Sequence, residues 1–179
     1  MSGKQTVVVS TYDERWPEQF LLLRARLDRA MADITDRIEH VGSTSVPGLA
    51  AKPIIDIDII IAPDQLAASI DALSTIDYVH RGELGIEGRH AFRLVSAHGE
   101  EETLPRHNLY VCIEGSESLR NHLLLRDYLR EHPDRARAYG ALKLELAATY
   151  PDDIDAYIEG KTAFILAILK AQGMSSESL

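Results

Sequence analysis

Residues 54–61 read IIDIDIII, six isoleucines interrupted only by Asp56 and Asp58. A β-branched run of that density fits a strand and little else. Side chains alternate along a strand, so Ile55, Ile57 and Ile59 share a core-facing side while both aspartates project from the other. Two carboxylates at that spacing raise each other's proton affinity unless a cation sits between them. Mg²⁺ is the candidate, because it takes hard oxygen ligands from one or two carboxylates and completes its shell with substrate phosphates. The alternative is a solvated polar face with gatekeeping aspartates, against which the isoleucine content of the strand weighs.

The segment before the strand is GSTSVPGLAAKP. Gly42 lets backbone N–H groups approach an anion, the hydroxyls of Ser43, Thr44 and Ser45 add donors, and Pro47-Gly48 marks a turn. Lys52 supplies compensating charge. An ordinary turn has the same composition; what points to phosphate is the placement just upstream of the paired aspartates. The loop is not a P-loop, since Gly48 is followed by Leu49, and Gly160-Lys161-Thr162 has Asp155 where the first glycine would stand.

Hydropathy patterning predicts an α+β chain: a mixed sheet flanked by helices, with a helical carboxy-terminal third. Strands are expected at Val7–Val9, Ile34–Val41, Ile54–Ile61, Tyr78–Arg81, His90–Ala97 and His107–Ile113. A helix opens at Pro17, and Asp64 is expected to cap a second over Gln65–Thr75. Ser116 and Ser118 open a third, and Pro133 and Pro151 begin the last two. Trp16 and Tyr12 read as a staple for the first helix. Residues 1–172 are expected to form one domain and 173–179 a flexible polar tail. With 28 acidic against 19 basic side chains the formal charge is −9, which disfavours a nucleic-acid polymer as partner. The single cysteine, Cys112, fits a reducing compartment and a buried apolar role. No stretch has the roughly 20 apolar residues of a membrane span, and the amino terminus lacks a secretory pattern, so a cytoplasmic location without membrane partners is expected.

The segment His40–Ile59, HVGSTSVPGLAAKPIIDIDI, resembles the signature of the GrpB family, small proteins assigned to the nucleotidyltransferase superfamily. The likeness continues in order through RGELGIEGRHAFRL (81–94), HNLYVC (107–112), LRNHLLLRDYLREHP (119–133) and YGALKLEL…EGKTAFI (139–165). It implies a nucleotidyltransferase-like mixed sheet in which Gly42 and Ser43 hold a triphosphate. Asp56 and Asp58 would then bind Mg²⁺ and activate an acceptor hydroxyl for displacement at the α-phosphate. The substrate implied is a nucleoside triphosphate of the ATP kind. One departure stands out: the superfamily usually supplies a third carboxylate from a later strand, and RHNLYVCI has none. Either His107 or Asn108 replaces it, as ligand or base, or the metal pair is incomplete and the domain only binds.

Arg81, Arg89, Arg93 and Arg106 fall on or beside the central strands, where guanidinium groups suit a small anionic ligand or nucleotide; Arg81 and Arg93 join the candidate binding set. Each has a nearby acid, Glu83, Glu87 or Glu102, as an alternative partner. Arg126 and Lys161 recur in the family pattern, where they either line the site or hold helices to the sheet. Three functions remain: a Mg²⁺-dependent nucleotidyltransferase acting on a small-molecule or protein acceptor, a non-catalytic binding or folding module of the kind fused to some dephospho-coenzyme A kinases, and a kinase- or ligase-like use of ATP.

Overall fold

The isoleucine-rich segment is an interior strand of a five-stranded sheet in the computed structural model, which describes residues 6–95 and 104–173. In chain order the elements are α1 (Trp16–Met31), β1 (Ile38–Val41), β2 (Ile55–Ile61), α2 (Leu66–Ser74), β3 (Tyr78–Gly82), β4 (Arg89–Leu94), β5 (His107–Ile113), α3 (Glu117–Glu131), α4 (Pro133–Thr149) and α5 (Ile154–Ala171). The strand order is β1-β2-β5-β4-β3, with β2 and β5 parallel and every other pair antiparallel.

The alternation of β2 sets the layers. Ile55, Ile57, Ile59 and Ile61 pack with Leu109 and Val111 of β5 against Trp16, Phe20, Leu23, Leu27 and Met31 of α1 and Leu73 of α2. Those α1 positions recur at helical spacing, and burying each of the larger side chains contributes about 1.5–3 kcal/mol. The opposite face carries Asp56, Asp58 and Ile60. There Ile60 and Cys112 meet Leu119 of α3. A further cluster of Val46, Leu49, Leu129, Ala136, Tyr139 and Ile168 ties the loop after β1 to α3, α4 and α5. Tyr139 and Phe164 stack at 5.0 Å between the last two helices. Gly160 makes that packing close, because a Cβ there would drive into the Leu146 side chain.

Several expected boundaries move, each for a local reason. Val7–Val9 form no strand: Val7 N–H donates to Pro151 O at 2.7 Å, and the nearest ladder contact is a single bridge between Ser10 and Ala51. Residues 34–37 are not strand either, because the end of α1 captures them: Ile34 and Thr35 N–H both donate to Met31 O, at 2.8 and 3.0 Å. Gln65, not Asp64, closes the turn before α2, its Oε1 accepting Ala62 N–H while its Nε2 donates to Ile34 O, both at 2.9 Å. The last helix starts at Ile154 rather than Pro151, with Asp153 as its cap, accepting Ala156 N–H at 3.0 Å. Trp16 is buried with Tyr12 edge-on at 5.2 Å, and Cys112 is fully buried, as expected. The end of the strand expected over His90–Ala97, Glu102, and the tail beyond Gly173 lie outside the described residues. No helix among the described residues is long and apolar enough to cross a membrane.

Ile57 is wholly buried between β1, β5 and α1, whereas Val79 on the edge strand is 47% exposed. Ile57→Ala is expected to cost about 2–5 kcal/mol in urea unfolding, and Val79→Ala less than about 1 kcal/mol.

Candidate active site

Strand register brings the paired carboxylates beside β5: Asp56 lies next to Asn108 and Asp58 next to Tyr110. Asn108 Nδ2 donates to Asp56 Oδ1 at 2.8 Å. Asp58 has no exposure at all, and a buried carboxylate is costly without partners. Its Oδ2 accepts a hydrogen bond from His122 Nδ1 at 2.7 Å, while its Oδ1 is buried with no partner among the described residues. Burial pushes the proton affinity of Asp56 up; Asn108 and the His122 and Lys161 charges oppose that shift, and neighbouring Asp58 adds to it.

His122 comes from α3, and the next two residues on the same helical face, four and eight positions on, complete the docking. Arg126 Nη1 donates to Glu39 Oε2 at 2.7 Å and to His40 O at 3.1 Å. Arg130 donates from Nε and Nη2 to Ser45 O, at 2.9 and 2.8 Å. Three cationic or polar side chains at helical spacing thus hold α3 across β1, β2 and the loop between them.

That loop is built around Gly42, whose φ is 70° and whose missing Cβ would otherwise collide with Asp56 Oδ2. The Ser43 hydroxyl reaches the phenol of Tyr139. Thr44 and Ser45 turn inward and are buried. Thr44 Oγ1 meets His40 Nε2 at 2.9 Å, and Ser45 Oγ donates to Gly42 O at 2.6 Å. Of the four loop residues expected to contact phosphate, Gly42 therefore stands against Asp56 and Ser43 reaches Tyr139, while Thr44 and Ser45 spend their hydroxyls on the shape of the loop.

Three lysines surround Asp56. Lys52 and Lys161 lie over the Tyr157 ring, at 5.1 and 5.4 Å from its centroid, and Lys143 lies over Tyr139 at 4.5 Å. Lys143 is 2% exposed, and its Nζ has no hydrogen-bond partner among the described residues. Burial, reinforced by the Lys161 charge and opposed by Asp56, lowers its pKa to about 7. Burial also lowers those of Lys52 and Lys161, each opposed by Asp56. Exposed lysines without such neighbours gain nothing from a phosphate's arrival beyond screened Coulomb attraction. Lysines desolvated over aromatic rings recover their full charge when an anion enters.

His107 is not brought to the carboxylates. It pairs with Ile55 in the β2–β5 register, which puts it on the opposite face. Both ring nitrogens are engaged, Nε2 with Tyr78 Oη at 2.6 Å and Nδ1 with Pro105 O at 2.7 Å. The one-residue offset places Asn108, not His107, beside Asp56. Arg81, Arg89, Arg93 and Arg106 do come together, lining a cavity of about 610 Å³ that also includes Asn108. Arg126 is a holding residue and not part of that cavity. His122 and Lys143 were not singled out from the sequence. The signals that point to them are the period-four series His122, Arg126, Arg130, and two Tyr–Lys pairs four residues apart, Tyr139/Lys143 and Tyr157/Lys161.

This geometry, a mixed sheet with a Gly-Ser loop against two carboxylates on the adjoining strand, defines the nucleotidyltransferase-like fold. Cid1, in complex with the UTP analogue UMPNPP, superposes with a TM-score of 0.52 over 76% of this chain and 41% of its own, at 12% identity, a likeness of fold alone. Residues 6–171 match the family described as GrpB protein, and the chain belongs to that family. The crystal structure of GrpB from Enterococcus faecalis is 36% identical, with a TM-score of 0.78 over 92% of this chain and 96% of that one. The UPF0157 protein YqkA of Bacillus subtilis is 39% identical over 90% of this chain, which spans only 46% of that relative's length. A dephospho-CoA kinase of Mycolicibacterium paratuberculosis is 29% identical over 83% of this chain and 42% of its own.

Burial holds the His40 pKa down to about 4, helped by the Arg130 and Arg126 charges. The folded state therefore binds fewer protons than the unfolded state between pH 6.5 and 4. This contribution is fully present above pH 6.5 and lost as the pH falls toward 4. Wild type is expected to lose up to about 3 kcal/mol more stability than His40→Gln across that window, read from urea unfolding at each pH. Parallel pH profiles for the two proteins would show that His40 is not held neutral in the fold.

Proposed function

We propose that this protein is a nucleotidyltransferase that moves a nucleoside monophosphate from a nucleoside triphosphate, ATP being the reference substrate, to the hydroxyl of a second molecule. The observation that carries the reading is convergence: Asp56 and Asp58, the Gly42–Ser43 backbone and Lys52, Lys143 and Lys161 all meet at one point on the sheet. A phosphate chain with a divalent cation satisfies both the clustered lysines and the clustered carboxylates.

The donor set fits such a cation. Asp58 Oδ1 is an orphaned buried oxygen, and Asp56 Oδ2 faces the space that Gly42 leaves open. Among the described residues no three His, Cys, Asp or Glu side chains cluster, so phosphate oxygens and water would complete the shell. Asp56 and Asp58 would hold Mg²⁺, which when bound neutralises phosphate charge and lowers the pKa of a bound hydroxyl. The chain's own residues do the rest. Gly42 N–H and the Ser43 hydroxyl fix the phosphate chain, and the lysines take up the charge that develops on the leaving pyrophosphate. As the new O–P bond forms and the α–β bridge breaks, the acceptor's proton passes to water beside the carboxylate pair. His122 orients Asp58 and is a positioning residue.

A second reading, a nucleotide-binding module without turnover, is favoured by one observation: Asn108 occupies the register position beside Asp56 where a third carboxylate would stand. Isothermal titration and product analysis by mass spectrometry separate the two. Wild type is expected to bind a nonhydrolysable ATP analogue only with Mg²⁺ and to turn ATP over with an acceptor. Asp56→Asn should lower turnover by at least about 10²-fold and weaken Mg²⁺-dependent binding. If that variant binds the Mg²⁺–nucleotide as wild type does, the assignment of the carboxylates is wrong.

Lys143 supplies an independent check. Held near pKa 7 by burial, it is largely neutral at pH 8 in the free protein and charges when phosphate arrives. Nucleotide binding at pH 8 is expected to take up a proton, seen as a buffer-dependent enthalpy. Lys143→Met should abolish the uptake and weaken binding roughly tenfold.

A further inference from the structure

The arginine-lined cavity has a charge its surroundings among the described residues do not explain. It measures about 610 Å³ and lies on the open half of the sheet face that carries Asp56 and Asp58, over β5, β4 and β3. Arg89 pairs with Cys112, and Ala91 with Tyr110, so Arg89 and Arg93 project from the same face as the carboxylates. Arg93 faces Val79 across β3, and Arg81 sits in the irregularity between His80 and Gly82 of that strand. Arg106 enters just ahead of β5. Among the described residues no aspartate or glutamate lines the cavity.

These arginines differ from the others in the chain. Arg15, Arg24, Arg26, Arg37, Arg126 and Arg137 are all ion-paired. Arg81, Arg93 and Arg106 make no hydrogen bond or ion pair among the described residues. Arg89 lies flat over the Tyr110 ring at 4.5 Å, and its Nε is buried without a hydrogen-bond partner. In a chain of formal charge −9, one concavity thus gathers four guanidinium groups, three of them exposed and without an ion pair among the described residues, an arrangement suited to an anionic ligand. Among the described residues no lysine lines the cavity, although Arg106 stands near enough to Lys52 to lower its proton affinity; the cavity joins the reaction centre through Asn108, which lines it and hydrogen-bonds Asp56.

We infer that this cavity is the acceptor site, and that the acceptor is a small hydroxylated anion bearing a phosphate or carboxylate group. The inference rests on the nucleotidyltransferase reading and adds the class of the second substrate. The arginines grip the anionic group of the acceptor and its hydroxyl reaches past Asn108 to Asp56. The donor enters from the opposite side, over Gly42 and the lysines. Two polyanions thus approach one carboxylate pair from two cationic flanks, which keeps the donor's phosphates from competing for the acceptor's seat.

The test uses the full chain saturated with Mg²⁺ and a nonhydrolysable ATP analogue, then titrated with inorganic phosphate and, separately, malonate. Wild type is expected to bind one or both, and the arm that binds more tightly tells phosphate from carboxylate. Arg81→Gln/Arg93→Gln, both on exposed positions, should weaken that binding at least tenfold while the analogue's Kd stays within twofold. Three results overturn the inference: neither anion binds wild type, the double variant binds them undiminished, or a single-stranded oligonucleotide binds through the same arginines far more tightly than either anion. Failure of the analogue itself to bind counts instead against the donor site and the reading beneath it.

Discussion

A carboxylate buried to zero exposure in the middle of a sheet has to be met by something, and the hydrogen bond from His122 to Asp58 is the contact on which the rest of the site depends. Removing one partner of such a pair strands a charge in low dielectric, typically at a cost of 3–5 kcal/mol, roughly a third or more of what a domain this size has to spare. The contact fixes where α3 crosses the strands. Arg126 and Arg130 then fall onto Glu39, the His40 carbonyl and the Ser45 carbonyl because they stand one and two helical turns further on. The loop between β1 and β2 is therefore pinned from both sides, by α3 above and by His40 below. Its glycine can sit against Asp56 without a flexible segment intervening.

Much of this could be read from the chain before any coordinates. Strand β2 announced itself through isoleucine density, and alternation alone put both aspartates on one face. The Gly-Ser loop was legible because its position mattered more than its composition. What escaped were features that live between elements. Alternation along β5 sorts its residues into two faces, but only the parallel register with β2 shows that Asn108, and not His107, stands on the aspartates' side. Thr44 and Ser45 look like phosphate ligands in one dimension and prove to be internal struts, since a hydroxyl's partner depends on the direction in which a turn closes. Val7–Val9 had strand propensity and no free ladder to join, a case of tertiary context overriding local preference. His122 and Lys143 are not legible in the sequence, because a lone polar residue in a helix has many explanations until its partner across the fold is known.

Electrostatically the protein separates what its net charge averages. The acidic excess is spread over the chain, whereas one sheet face holds two carboxylates with lysines on one flank and arginines on the other. The two cationic groups are built differently. The lysines are desolvated over tyrosine rings, which lowers their proton affinity; the arginines, three of them exposed and Arg89 laid over Tyr110, are permanently charged and forked. The first kind suits a ligand that arrives with its own cation and leaves as a more highly charged product. The second suits a ligand that must be held by shape and released unchanged in charge.

Gly160 touches none of these groups, and its missing side chain nonetheless sets their spacing. Because a Cβ there would drive into Leu146, the glycine decides how near α5 can lie to α4, and with it the gap between Lys161 on one helix and Lys143 on the other. The two helices act as the jaws of a caliper whose opening is set one residue from a jaw tip. A Gly-Lys-Thr triplet that looks like a fragment of a phosphate loop thus has another part in the fold: its lysine places a charge near Asp56, and its glycine sets the distance.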